Sequence, residues 1–228
     1  MNLNRYLDVQ SQHALFSPSQ SSWLRYDDDK IAERLKNRFR APLGTEIHEY
    51  AAQQIMLVHK KKNTRNVVEE IENYIYQKYT GSGNNGDTTA FGMLLLTHLR
   101  DLPKDVFEAV KGYINDGIRY EMAVEQRLLY SEDIFGTADT HCFKNGILRI
   151  HDLKTGDSAP HMEQLEIYAA LYFLSNKMQP ENARTELRIY HQEGVFTEHP
   201  DSNDISAIMG RIVEIDRIAE QFRKDRQL

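Results

Sequence analysis

Apolar residues follow a helical rhythm through roughly the first 120 positions of the chain, where most of the length reads as helix. The segment "NVVEEIENYIYQKY" (66–79) is amphipathic at helical spacing. "KIAERLKNRFR" (30–40) follows Asp27 to Asp29, an acidic start and basic finish that suit the helix dipole. A separate helix is expected over "GTEIHEYAAQQIMLV" (44–58), after Pro42 and with Thr45 as its N-cap. The glycine-rich "TGSGNNGDTTA" (80–90) reads as a mobile loop. It is not a phosphate cradle, because no Gly-Lys-Ser/Thr follows it. Two further helices are expected at 91–101 and 104–119, the second opened by Pro103.

The pattern changes near residue 121. "YEMAVEQRLLY", "IFGTADTHCF" and "GILRIHDL" are short and rich in β-branched and aromatic residues, the last two joined at Asn145-Gly146. "PHMEQLEIYAALYFLSNK" (160–177) returns to helix, "TELRIYHQ" and "GVFTEHP" form a closing hairpin, and "DISAIMGRIVEIDRIAEQFRKD" is a terminal helix. Three strands, a helix, two strands and a helix behind a helical half describe an α/β domain with a helical N-terminal elaboration. The expected organisation is one domain over 1–228, mainly helical over 1–120 and α/β over 121–228.

Composition narrows this only slightly. Of 228 residues, 40% are hydrophobic and 27% charged, an ordinary globular balance. No apolar run approaches the ~18 residues of a membrane span. The opening "MNLNRYLDVQSQHALF" lacks the order of a secretory signal. A single cysteine, Cys142, forbids an internal disulfide and a multi-cysteine metal cluster, so a reducing cytoplasm is the natural setting. A net charge of −6 argues against a protein that coats nucleic acid generally. Two basic stretches, 30–40 and "HKKKNTR" (59–65), leave room for a local basic surface.

The candidate chemistry lies in "FGTADTHCFKNGILRIHDLKTG" (135–156). Asn-Gly specifies a two-residue type I′ turn. Lys144 then faces Ile147, and counting outward sets Asp139 opposite Asp152. Directly opposed Cβ atoms lie about 5 Å apart, where like charges destabilise a sheet. Lys154 shares a face with Asp152, because side chains alternate. A hard divalent cation between the carboxylates removes the conflict, and Mg²⁺ accepts a site with few protein oxygens. Its bound water, acidified and close to Lys154, would be a nucleophile for a phosphodiester. The bland alternative is a pair of exposed strand aspartates neutralised by Lys154, and a β-bulge would undo the pairing.

At these residues the sequence resembles the RecB-like branch of the PD-(D/E)XK nucleases, which includes phage-encoded and CRISPR-associated exonucleases. The family pattern appears in order: His48 in "GTEIHEYAA", Asp139 in "GTAD", Asp152 and Lys154 in "DLK", and Gln164 and Tyr168 in "QLEIY". The opening "HALFSPSQSSWL" also looks like the start of a group of phage-encoded members, and the likeness covers about residues 13–175. It implies a restriction-endonuclease-like core, a mixed sheet flanked by helices. It further implies Mg²⁺ or Mn²⁺ held by His48, Asp139, Asp152 and the main-chain carbonyl of Leu153, with Lys154 catalytic. Gln164 and Tyr168 would reach the substrate backbone or hold Lys154. Glu125 matches an acidic residue of the first strand, although Arg127, on the same strand face, offers it a simple ion pair. The four cysteines that bind an iron–sulfur cluster in some members are absent, so no such cluster is expected.

The resulting expectation is a metal-dependent deoxyribonuclease, by likeness an exonuclease of DNA recombination, repair or phage DNA processing. No helicase motor is present, so unwinding would fall to a helicase partner, and a recombinase or single-strand annealing protein would be other partners. A ring-shaped homo-oligomer would explain processive action by an acidic protein, but no residue demands one. The alternatives are a nuclease fold that only binds DNA or a partner protein, and a metal-dependent hydrolase of another substrate.

Overall fold

A computed structural model describes residues 22, 24–57, 66–81, 86–157 and 159–226. The basic stretch 59–65 and nearly all of the opening 13–24 segment lie outside the described residues. The chain divides into two compact units, one of residues 1–50 and 64–103, the other of 51–63 and 104–228.

The first unit is helical. It holds most of α1 (Asp28–Met56), with α2 (Val67–Thr80) and α3 (Gly86–Arg100). Two expectations fail here. Helix α1 runs unbroken through Pro42, so there is one helix where two were expected. Thr45 is therefore no N-cap: its hydroxyl donates to the Ala41 carbonyl, 3.1 Å away and one turn back. Proline removes one backbone donor, and the long apolar face around Leu43, Ile47 and Tyr50 holds the helix together across it. Helix α3 likewise begins at Gly86, inside the segment read as a loop, and residues 82–85 lie outside the described residues. Asp87 and Thr88 are ordinary first-turn residues, which a glycine-rich composition obscures.

Helix α2 forms as expected. Asn66 caps it by accepting the Glu69 N–H at 3.3 Å, and Val67, Ile71 and Ile75 are its buried stripe. Helices α2 and α3 meet closely at Gly92. A Cβ there would stand 2.3 Å from Tyr79 Cβ, an atom anchored directly to its backbone. Gly92→Ala should therefore cost about 1–3 kcal/mol of stability, read as a lower urea midpoint.

The second unit contains the sheet. The order β1 (Ala123–Leu129), β2 (Phe135–Lys144), β3 (Ile147–Leu153), β4 (Arg184–His191), β5 (Gly194–Glu198) is antiparallel except for the parallel β3–β4 pair. Helices α4 (Lys104–Arg119), α5 (Glu163–Ser175) and α6 (Ser202–Arg226) complete it. The parallel pair requires a crossover, and α5 supplies it. This is the α/β architecture expected, a mixed sheet with flanking helices.

The two sheet faces differ in chemistry. Leu148, Ile150, Leu187 and Ile189 pack against Leu165, Ala169 and Phe173 of α5 and Ile205 of α6 in an apolar core. The alternate residues of β3 and β4 meet α4 with charge. Arg149 and Arg188 hold Glu186 at 3.2 and 3.1 Å, and Arg188 also pairs with Asp116 of α4 at 2.6 Å. Tyr190 donates to the same Asp116 at 2.6 Å, and both guanidiniums lie over the Tyr120 ring. No helix of the described chain is long and apolar enough to cross a membrane.

Candidate active site

The site begins at the turn. Asn145 and Gly146 take φ values of 53° and 72°, the pair of positive angles that a type I′ turn needs. Pairing runs from Lys144 opposite Ile147 to Thr140 opposite His151, which is the register expected. The next pair outward would be Asp139 with Asp152, and the ladder stops one step short of it. Instead of meeting Asp152 across a ladder rung, Asp139 uses a carboxylate oxygen to accept the N–H of Leu153 at 3.1 Å.

The same point is irregular on the other side of β2. Strand β1 pairs Val124 with Thr140 and Gln126 with Ala138, while Glu125 and Asp139 between them drop out of the ladder. Glu125 sits at φ 51°, left-handed for a residue without glycine's freedom. Gly136 faces α5, since a Cβ there would meet the Tyr168 ring at 2.6 Å. Cys142 pairs with Arg149 on the α4 side. Simple alternation therefore breaks near Asp139. Glu125, Asp139 and Asp152 nevertheless occupy neighbouring positions on three adjacent strands.

From Asp152 a chain of polar contacts leads outward. Asp152, 4% exposed, receives Lys154 Nζ at 3.2 Å on Oδ1 and 3.0 Å on Oδ2. Lys154 Nζ also donates to Gln164 Oε1 at 3.3 Å, and Gln164 Nε2 donates to Tyr168 OH at 3.0 Å. Gln164 thus holds the lysine from the helix side and is itself steadied by Tyr168, one turn on along α5. Its backbone is held as well, because the Lys154 N–H donates to the Tyr190 carbonyl of β4 at 2.8 Å. That last contact was not readable from sequence, since it depends on which strand lies beside β3.

The electrostatics agree with clustered negative charge. The Tyr113 hydroxyl of α4, nearly inaccessible, is pushed well above the usual tyrosine range by burial and then by Asp139, with Asp152 and Glu125 adding to it. His151, the buried neighbour of Asp152, has its pKa lowered by burial. Glu186 is held at about 2 by His151, with Arg188 and Arg149 pulling in the same direction. His151 Nε2 lies 4.0 Å away, beyond hydrogen-bond reach, so the two arginines carry that pairing.

The remaining expected residues are placed as follows. His48 is half-buried on α1 in the first unit, and Glu125 is exposed on β1. Arg127 does not serve Glu125 as its ion-pair partner: its guanidinium lies 3.6 Å over the Phe135 ring. Among the described residues, no group of three or more His, Cys, Asp or Glu side chains is arranged to hold a metal ion. The oxygen donors at hand are two carboxylates, Asp139 and Asp152, and they suit a hard cation that keeps most of its own water.

A family model described as "Protein of unknown function (DUF2800)" matches residues 13–221 of the chain. Neither a curated protein nor a solved structure gives a match.

Proposed function

The chain belongs to the DUF2800 family, and from the site on its hairpin we propose a divalent-metal-dependent nuclease that hydrolyses DNA phosphodiester bonds. The observation that carries this is the polar chain from Asp152 through Lys154 and Gln164 to Tyr168, beside a second carboxylate on the facing strand. A buried carboxylate fixed to a lysine, with a neighbour of like charge, is costly unless it does something. Asp139 and Asp152 would hold Mg²⁺ or Mn²⁺. A bound ion of this kind supplies an acidified water and neutralises phosphoryl charge.

The protein's own part is positioning. Lys154 presents donors where charge develops on the phosphate, or orients the attacking water. Gln164 and Tyr168 keep the ammonium in one place without adding a charge. The resemblance to RecB-like nucleases favours an exonuclease working in DNA recombination, repair or phage DNA processing.

End-labelled linear DNA and closed circular DNA, each with Mg²⁺, Mn²⁺ or EDTA, test this reading. Metal-dependent loss of linear DNA alone is the expected result; cutting of the circle would make the enzyme an endonuclease. Failure to cut either, in folded protein that still binds DNA, would leave a binding module. Gln164→Leu should lower the turnover number by about tenfold or more with Lys154 intact, because a loosened lysine loses its geometry. Single-turnover rates on linear DNA check that.

A further inference from the structure

Strands β1 and β2 carry an exposed patch that the site does not use. Gly136 faces Tyr168 of α5, and Leu128 lies in the same apolar core. Their chain neighbours Phe135, Thr137, Arg127 and Leu129 therefore point to the opposite sheet face. All four are exposed, Leu129 at 52% and Phe135 at 48%. Leu129 is paired opposite Phe135, and Arg127 opposite Thr137, so the four form one continuous surface. Two large apolar side chains side by side in water call for a partner.

Arg127 identifies what kind. Its guanidinium lies flat enough on Phe135 to sit 3.6 Å from the ring centroid, and among the described residues it joins no ion pair. Stacking in this way holds the guanidinium in place while its N–H groups stay available for an anion. The two acids of the intervening turn, Glu132 and Asp133, are taken up by Arg223 of α6. The patch is thus apolar, aromatic and cationic together. It also lies on the strand that carries Asp139, which comes four positions after Phe135, about 13 Å along the strand at ~3.3 Å per residue.

We propose that Arg127, Phe135 and Leu129 form a platform for single-stranded DNA, Phe135 and Leu129 taking an unstacked base and Arg127 a phosphate. This rests on the nuclease reading above and names the form of DNA that the site receives. A single strand fits because its base faces are available, whereas a duplex buries them in its own stack.

The test uses the full chain and a fluorescein-labelled oligothymidylate in EDTA, followed by anisotropy over a range of salt. Phe135→Ala should weaken binding roughly tenfold, while a blunt duplex of equal length changes less than about twofold. Phe135→Trp should retain the affinity. Arg127→Ala should lessen the slope of log affinity against log salt by about 0.7, and Phe135→Ala should leave that slope alone. Hydrolysis of bis(p-nitrophenyl) phosphate with Mn²⁺, which needs no platform, separates the two readings. Its loss only with Lys154→Ala upholds the nuclease whatever the platform variants do. Unchanged oligothymidylate affinity in both platform variants, or equal loss on duplex and single strand, would overturn the platform.

Discussion

Lys154→Ala is expected to slow metal-dependent hydrolysis of linear DNA by about 10²–10³-fold, equivalent to ~3–4 kcal/mol of transition-state stabilisation. The reason is local. Lys154 Nζ bridges Asp152 and Gln164 in the polar chain, at 3.2 Å from the one and 3.3 Å from the other. Alanine removes the cation and leaves Gln164 and Tyr168 with nothing to hold. The fold should survive, because the lysine backbone stays tied to the Tyr190 carbonyl and its side chain is partly exposed. Asp152, in contrast, loses a counter-charge while 4% exposed. The loss should therefore fall on the turnover number, with DNA affinity changed by little, and single-turnover kinetics with separate binding measurements would show it. Equal hydrolysis by wild type and variant would remove Lys154 from the chemistry and with it the proposed function.

Glu186→Gln should cost about 1–3 kcal/mol of stability at neutral pH. Glu186 is 13% exposed and is the shared carboxylate of Arg149 and Arg188, so its neutralisation leaves two guanidiniums at the α4 face without their common anion. The pH dependence carries a definite sign. In the folded protein the Glu186 carboxyl is depressed from its ordinary 4.5 to about 2. A depressed acid contributes its full stability above the unfolded value and loses it as pH falls through the folded one. The gap between wild type and Glu186→Gln should thus be constant from pH 7 to about 5, then close as pH falls towards 2. At ~1.4 kcal/mol for each pKa unit, the closing amounts to about 1–3 kcal/mol, below the full shift because His151 lies beyond hydrogen-bond reach. Urea unfolding of both proteins at pH 7, 4.5 and 3 measures it. A gap independent of pH would mean that the arginines are satisfied by Asp116, the aromatic ring and water instead.

The parts of the fold that could be read in advance are those set by neighbours in sequence. The Asn145-Gly146 turn specified its own type, and with it the register from Lys144–Ile147 to Thr140–His151. The i, i+4 spacing of Gln164 and Tyr168 put both on one helix face, where Gln164 accepts from Lys154 and donates to Tyr168. Failures came where a local signal met a longer-range one. Pro42 signals a helix break, and the apolar face of α1 overrides it. Glycines at 81, 83 and 86 suggest a loop through residue 90, yet α3 starts at the last of them.

By itself the sequence determined the order of helices and strands from residue 104 onward, the hairpin and its register, and the set of residues available for chemistry, because each depends on contacts within a few residues. Only the tertiary structure decided that the ladder ends before Asp139 meets Asp152, and that Asp139 accepts the Leu153 N–H instead. It likewise decided that Tyr190 anchors the Lys154 backbone, that Glu125 adopts a left-handed backbone, and that Arg127 covers Phe135 and does not pair with Glu125. Those outcomes depend on which strands lie side by side and how a sheet twists under a helix, and a linear pattern of apolar and polar positions carries no information about either.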